Sequence, residues 1–153
     1  MIVHRIRTAS PHERLFLIEI QRRAALANTG DRDLLTAHPE LIDTPAEFFA
    51  AGNVLVAECD GVVIGFATLI LREDGDAELE GLFVEPSHWR QGVGRALAEA
   101  IATRAVALGA RTLYVVGNPH AEGFYARAGF RLDGVIETQF GNNLLLERDL
   151  TAR

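Results

Sequence analysis

The chain has 153 residues, 48% of them apolar and 24% charged, which suits one soluble globular domain spanning residues 1–153 with a sizeable core. No apolar run approaches the ~20 residues that cross a bilayer, and the first residues lack the apolar segment of a signal peptide, so a cytoplasmic protein without a membrane partner is expected. The formal charge of −6 disfavours nucleic acid as a partner and mildly favours cationic substrates.

All 15 basic residues are arginine, and one cysteine, Cys59, leaves no internal disulfide. No Cys/His spacing marks a metal site, and none is expected.

In chain order, Val3 to Thr8 reads as a short strand. Ser10-Pro-His-Glu13 fits a capping box, with Ser10 as N-cap, Pro11 at the first helical position and Glu13 reaching back. The helix it opens should run to about Ala27 and end at Asn28-Thr-Gly30. Thr44-Pro-Ala-Glu47 offers a second capping box, followed by the apolar anchors Phe48 and Phe49 and a stop at Gly52. Residues 31–50 are the candidate region for substrate selectivity.

Val54 to Cys59 and Val62 to Leu71 are strand-like runs separated by Asp60-Gly61, a strong hairpin signal. Asp74-Gly75 marks a turn before a third strand, Ala77 to Val84. After Gly94 the period becomes helical, with Val93, Leu97, Ala100, Ile101, Ala105 and Leu108 as one stripe, Arg95 and Glu99 as a surface pair, and Gly109 as C-cap. Thr112 to Val116 reads as a strand buried on both faces and parallel, or nearly so, to the one ending at Val84. Asn118 caps a short helix through Ala128, closed by Gly129. Strands near Phe130 to Ile136 and Asn143 to Leu150 finish the chain.

The most informative stretch is Gly81-Leu-Phe-Val-Glu-Pro-Ser-His-Trp-Arg-Gln-Gly-Val-Gly-Arg-Ala-Leu. A strand leads through a loop into a Gly-x-Gly helix start at Gly92 and Gly94. The first amides of a helix lack intrahelical partners, and the helix dipole adds positive potential, so the turn suits phosphate. A Walker A loop is excluded, because the chain has no lysine. A dinucleotide fingerprint fits poorly: the third glycine is replaced by Leu97, the strand ends several residues too early, and no acidic residue closes the next strand.

A third reading fits. Val84-x-Pro86 before Gly92-Val-Gly94, then Asn118, Phe124-Tyr125 and Gly129-Phe130, then Leu144-Leu-Leu-Glu-Arg-Asp-Leu150, resemble in order and spacing the motifs of the GCN5-related N-acetyltransferase (GNAT) family. The resemblance covers residues 1–150 and is best from Val54 to Phe130. One departure stands out: Trp89 occupies the family's usual Gln/Arg position, with Arg90 and Gln91 following.

The resemblance implies an α/β three-layer fold, a mixed, mostly antiparallel twisted sheet of six to seven strands flanked by about four helices. It implies acetyl-CoA as co-substrate and a small-molecule amine as acceptor, and makes a homodimer plausible. By the same resemblance Leu82, Phe83 and Val84 hold the acyl arm through their main chain. Arg90, Gln91, Gly92, Val93, Gly94, Arg95 and Ala96 surround the pyrophosphate, and Asn118 and Tyr125 meet the pantetheine end.

Acetyl transfer to an amine needs a base, since alkyl ammonium ions have a pKa near ~10, donors for the developing oxyanion, and help for the departing thiolate. Glu80 is the candidate base, with Glu78 as fallback; strand alternation places both on one face with Leu82 and Val84. Tyr125 matches the family's tyrosine near the thioester sulfur and is the candidate acid. No placed cysteine argues for an acyl-enzyme, so direct attack in a ternary complex is expected. The alternatives are a non-catalytic acyl-CoA sensor and an acetyltransferase of protein N-termini.

Overall fold

In the computed structural model, which describes residues 5–28 and 30–151, the turn at Asp60-Gly61 takes φ of 53° and 79°. Positive φ at both central residues is the geometry whose twist matches two paired strands. It joins β2 (Val54–Cys59) to β3 (Val62–Leu71), and β3 turns at Asp74-Gly75 into β4 (Ala77–Val84), with the bounds expected from the sequence. Ahead of this meander lie β1 (Arg5–Thr8), α1 (Arg14–Ala27), α2 (Arg32–Ala37) and α3 (Ala46–Ala50). After it come α4 (Val93–Ala107), β5 (Thr112–Gly117), α5 (Glu122–Arg127), β6 (Arg131–Thr138) and β7 (Gly141–Asp149). Val3 and His4 of the expected first strand lie outside the described residues.

The seven strands form one sheet in the order β1-β2-β3-β4-β5-β7-β6. Every neighbouring pair is antiparallel except β4–β5, which is parallel. The sheet and its helices match the expected three-layer α/β class, with seven strands and, among the described residues, five α-helices. α4 covers one face: Val93, Leu97, Ile101 and Ala105 pack on Leu55, Ala57, Leu69, Leu79 and Leu113. α1 and α3 cover the other, where Leu17, Ile20 and Phe49 pack on Val54, Val56 and Phe66. Among the described residues no helix is long and apolar enough to cross a membrane.

Local rules explain most helix ends. The Glu13 carboxylate accepts from the Ser10 backbone N–H at 2.8 Å, the expected half of a capping box. The Glu13 N–H itself bonds the Ser10 carbonyl at 2.9 Å, so the helix opens with a tight 3-10 turn over Pro11–Glu13. Gly109 and Gly129 close α4 and α5 alike. Ala110 N–H reaches the Ala105 carbonyl and Phe130 N–H the Tyr125 carbonyl, each at 2.9 Å, after a glycine with φ of 92°.

Four local expectations are corrected. Thr44 does not cap α3; its hydroxyl donates to Gln21 Oε1 at 2.7 Å inside the protein, tying the α3 approach to α1. Glu99 does not pair with Arg95, because Arg148 from β7 reaches it at 2.8 Å. On α4 the stripe is completed by Ala98 and Ala102, not by Leu108, which is 44% exposed. β5 is not buried on both faces: Val116 is 42% exposed, at the point where β5 has left β4.

Glu13 also anchors the first strand. It receives two parallel bonds from the Arg7 guanidinium, at 2.8 and 2.9 Å, while Arg7 Nε reaches Glu58 on β2 at 2.6 Å. The Arg7 bonds hold the Glu13 carboxyl well below its usual 4.5, at about 2. A depressed carboxyl contributes stability above its unfolded pKa and loses it as pH falls toward the folded one. Glu13→Gln is therefore expected to cost about 1 kcal/mol at neutral pH. In thermal melts its gap from the parent should close between pH 4.5 and about 2.

Candidate active site

Strands β4 and β5 pair only from Ala77 to Leu79 against Leu113 to Val115. Beyond that they splay, and a groove of about 770 Å³ opens between them. The cause on the β4 side is a bulge. Thr68 of β3 faces Gly81 and Leu69 faces Leu79, so Glu80 is the extra residue with no partner across the ladder. A bulge bends its strand and re-aims a side chain.

It also shifts the alternation. Ala77 and Leu79 face α4, and after the bulge so do Leu82 and Val84. The expectation that Glu78 shares a face with Leu82 and Val84 is thereby overturned, while Phe83 turns to the α1 side against Phe66 at 5.5 Å. Beside the bulge, Thr68 Oγ1 is one of two buried side-chain polar atoms without a partner among the described residues. Its place on the ladder had no mark in the sequence.

Glu80 stands at the groove wall. Part of its surface meets solvent, yet the surrounding walls displace enough water to raise its carboxyl above the usual range. The negative charge of Glu78 pushes the same way. No hydrogen bond or ion pair holds Glu80 among the described residues, which leaves its carboxylate available to a ligand.

Across the splay lies Tyr125 on α5. Its ring meets Phe124 and Phe130 edge to face, with centroids 5.2 and 5.5 Å away. Burial pushes its hydroxyl up to about 12, so it stays protonated and can only donate to an anion. Gly117 at the end of β5 makes room for it: a Cβ there would sit 3.0 Å from Tyr125 Cε2 and 3.4 Å from Cδ2. Gly117→Ala should therefore displace the ring. We expect a loss of about 1–3 kcal/mol in denaturant titration and a kcat lowered with KM for acetyl-CoA little changed.

The Gly-x-Gly turn has two separate explanations. Gly92 takes φ of 84°, a left-handed backbone that L side chains rarely adopt, with open space where a Cβ would be. Gly94 is favoured by packing, since a Cβ would lie 3.2 Å from the Phe124 ring, which would have to give by a few tenths of an ångström. The first in-helix backbone bond of α4 runs from Ala96 N–H to the Gly92 carbonyl at 3.0 Å. The amides of Val93, Gly94 and Arg95 are thus the ones left for an anion, and the dipole of a 15-residue helix adds to them.

His88, Arg90 and Arg95 line the same end of the groove, with Arg90 at φ of 65°. Gln91 and Ala96 do not line it. Trp89, at the loop position where the resembled family usually carries Gln or Arg, turns its indole N–H to the Val84 carbonyl at 2.8 Å and staples the loop to the end of β4.

Asn118 lines the groove but does not cap its helix. Its Nδ2 donates to Asp31 Oδ2 at 2.9 Å. A carboxylate only accepts, so this bond fixes the amide orientation and leaves Asn118 Oδ1 as the acceptor it can offer a ligand. Asp31 also lies 3.5 Å from His120 Nε2, and Asn28 contacts the same ring nitrogen. Burial raises the Asp31 carboxyl, and the His120 charge works against that rise. Asp31 was not picked out beyond its place in the 31–50 segment, because nothing local marks a carboxylate that meets Asn118 across 87 residues of chain.

A polar turn for phosphate, a splayed strand pair for an extended arm, and a carboxylate and a protonated phenol lining the same groove together suit an acyl-CoA. The family model for the acetyltransferase (GNAT) family matches residues 15–130. The chain belongs to the GNAT family of acetyltransferases. An uncharacterised N-acetyltransferase of Mycobacterium tuberculosis is 31% identical over 104 residues, covering 63% of this chain and 67% of that protein.

Among solved structures, the PaiA N-acetyltransferase of Thermoplasma acidophilum in complex with coenzyme A superposes with a TM-score of 0.77 at 18% identity. The match covers 97% of this chain and 99% of the other. YncA of Salmonella typhimurium with acetyl-CoA gives 0.73 at 22% identity over 99% and 96%. This GNAT protein is an acetyl-CoA-dependent acetyltransferase, and its described residues hold no cluster able to bind a metal.

Proposed function

We propose that this GNAT protein transfers the acetyl group of acetyl-CoA to a primary amine by direct attack within a ternary complex. The observation that carries the reading is the pairing of Glu80 and Tyr125 on the two walls of one groove, next to the free amides of α4. The pyrophosphate rests on the amides of Val93, Gly94 and Arg95, with Arg90 alongside. The acyl arm lies along Leu82, Phe83 and Val84 in the splay, and Asn118 accepts from one of its amides.

Glu80 takes a proton from the amine, directly or through a water. The nitrogen then bonds the acetyl carbon, a main-chain N–H of β4 supports the oxyanion, and the C–S bond breaks as the Tyr125 hydroxyl donates to the departing sulfur. Cys59, the one cysteine of the chain, sits in β2 away from the groove lining and offers no acyl-enzyme route.

Initial-rate measurements of thiol release, varying acetyl-CoA and amine together, test the mechanism. Intersecting lines are expected; parallel lines and an isolated acetyl-enzyme would sink direct attack. Tight acetyl-CoA binding with no thiol release over polyamines, aminoglycosides, amino acids and short peptides would leave an acyl-CoA-binding module instead. A homodimer belongs to the same proposal, and light scattering should give twice the 16.7 kDa chain mass.

A further inference from the structure

The groove wall built by described residues between Gln21 and Ile42 has a one-sided charge. The segment carries Arg22, Arg23, Arg32 and His38, and each is engaged elsewhere. Arg22 pairs with Glu19 at 3.6 Å. Arg23 holds Glu85 through bonds of 2.6 and 2.8 Å. Arg32 Nε donates to the Leu26 carbonyl at 3.0 Å. His38 lies 3.2 Å from Glu40 and 5.0 Å from the Phe140 ring centroid. None of the four lines the groove.

The segment presents instead the hydrocarbon of Leu34, Leu35, Leu41 and Ile42 and the carboxylate of Asp31. The Gln21 amide is already held by the Asp43 carbonyl and the Thr44 hydroxyl. From β4, Glu80 adds a second carboxylate to the groove. Among the described residues His120 is the one basic side chain that reaches Asp31, and it is taken up by Asp31 and Asn28. The other arginines, Arg90, Arg95 and Arg127, stand on α4, the loop before it and α5. Those elements flank the phosphate turn, since Phe124 of α5 packs on Gly94.

An acceptor on this wall that carried an anionic group would lose hydration to hydrocarbon and meet carboxylates, while the four cations of the segment itself are engaged elsewhere. Building on the transferase reading above, we infer that the acceptor is an amine with a hydrocarbon body and no anionic group. A second ammonium at its far end is favoured, and Asp31 is the specificity-determining residue for that end. The Asp31 bond to Asn118 uses Oδ2, and no protein bond to Oδ1 exists among the described residues.

Three probes of matched length test this: butylamine, putrescine and γ-aminobutyrate. Each is titrated calorimetrically into the CoA-loaded protein and assayed for thiol release with acetyl-CoA. Putrescine is expected to bind at least about threefold more tightly than butylamine, and γ-aminobutyrate at least about tenfold more weakly.

In Asp31→Asn, which keeps an oxygen for Asn118, the ratio of putrescine to butylamine affinity should fall to about one, each measured on the CoA-saturated protein. γ-Aminobutyrate matching butylamine, binding by none of the three, or an unchanged putrescine preference in Asp31→Asn would each overturn the inference. The expected binding order without thiol release would uphold it and remove the transferase reading instead.

Discussion

Glu80→Gln is expected to lower kcat/KM for the amine by about 10²–10⁴-fold, with the affinity for CoA little changed. Glutamine keeps the shape and removes the basic oxygen, so the loss should fall on the chemical step. The fold should survive. Burial raises the Glu80 carboxyl, which means that ionising it costs the folded state free energy, and a neutral amide escapes that cost.

The pH profile carries the second half of the argument. A general base works deprotonated, so kcat/KM should fall as pH drops through the raised pKa of Glu80. Burial is the larger cause of the rise and the Glu78 charge the smaller. Glu78→Gln removes only the smaller cause, so the acid limb should move to lower pH without disappearing. A Glu80→Gln enzyme within about threefold of the parent would reassign the base to Glu78 or to water.

Much of the frame was legible because it is set by local chemistry. Asp60-Gly61 needs two positive φ values, and only a tight hairpin uses them so close to two β-branched runs, so β2, β3 and β4 had readable ends. Gly92, Gly109 and Gly129 mark helix ends by the same backbone argument. The site's working geometry was less legible because it arises from contacts between distant segments.

The bulge at Glu80 depends on how β4 sits against β3, and a period-two reading of Ala77 to Val84 cannot contain it. That one residue decides which carboxylate leaves the ladder and which apolar side chains stay on the α4 face. α2 has no clear mark in the sequence because Arg32–Ala37 is short and carries neither a side-chain N-cap bond nor a buried stripe. Its place over the groove is secured by Asp31 meeting Asn118 and His120 from the far end of the chain. Gly94 was read as a phosphate contact alone, whereas its missing Cβ also admits Phe124 of α5.

Tyr125→Phe is expected to lower kcat by about 10–10²-fold, the range for loss of a hydrogen bond to a charged group. The edge-to-face packing with Phe124 and Phe130 needs only the ring, so stability should hold. The size of the loss follows from acidity. The hydroxyl is held at about 12, whereas a thiol ionises near about 8.5. Full proton transfer from this phenol to the leaving thiolate therefore runs uphill. Its contribution is better described as a donor that stabilises sulfur as charge builds, with the proton settled afterwards by solvent.

That distinction is measurable. A donor matters most when the leaving group is a poor one, so the Tyr125→Phe defect should shrink with aryl thioesters, whose thiols are more acidic. A defect independent of the leaving thiol would place Tyr125 in positioning the acyl arm instead, and an unchanged kcat with acetyl-CoA would remove it from the chemistry altogether.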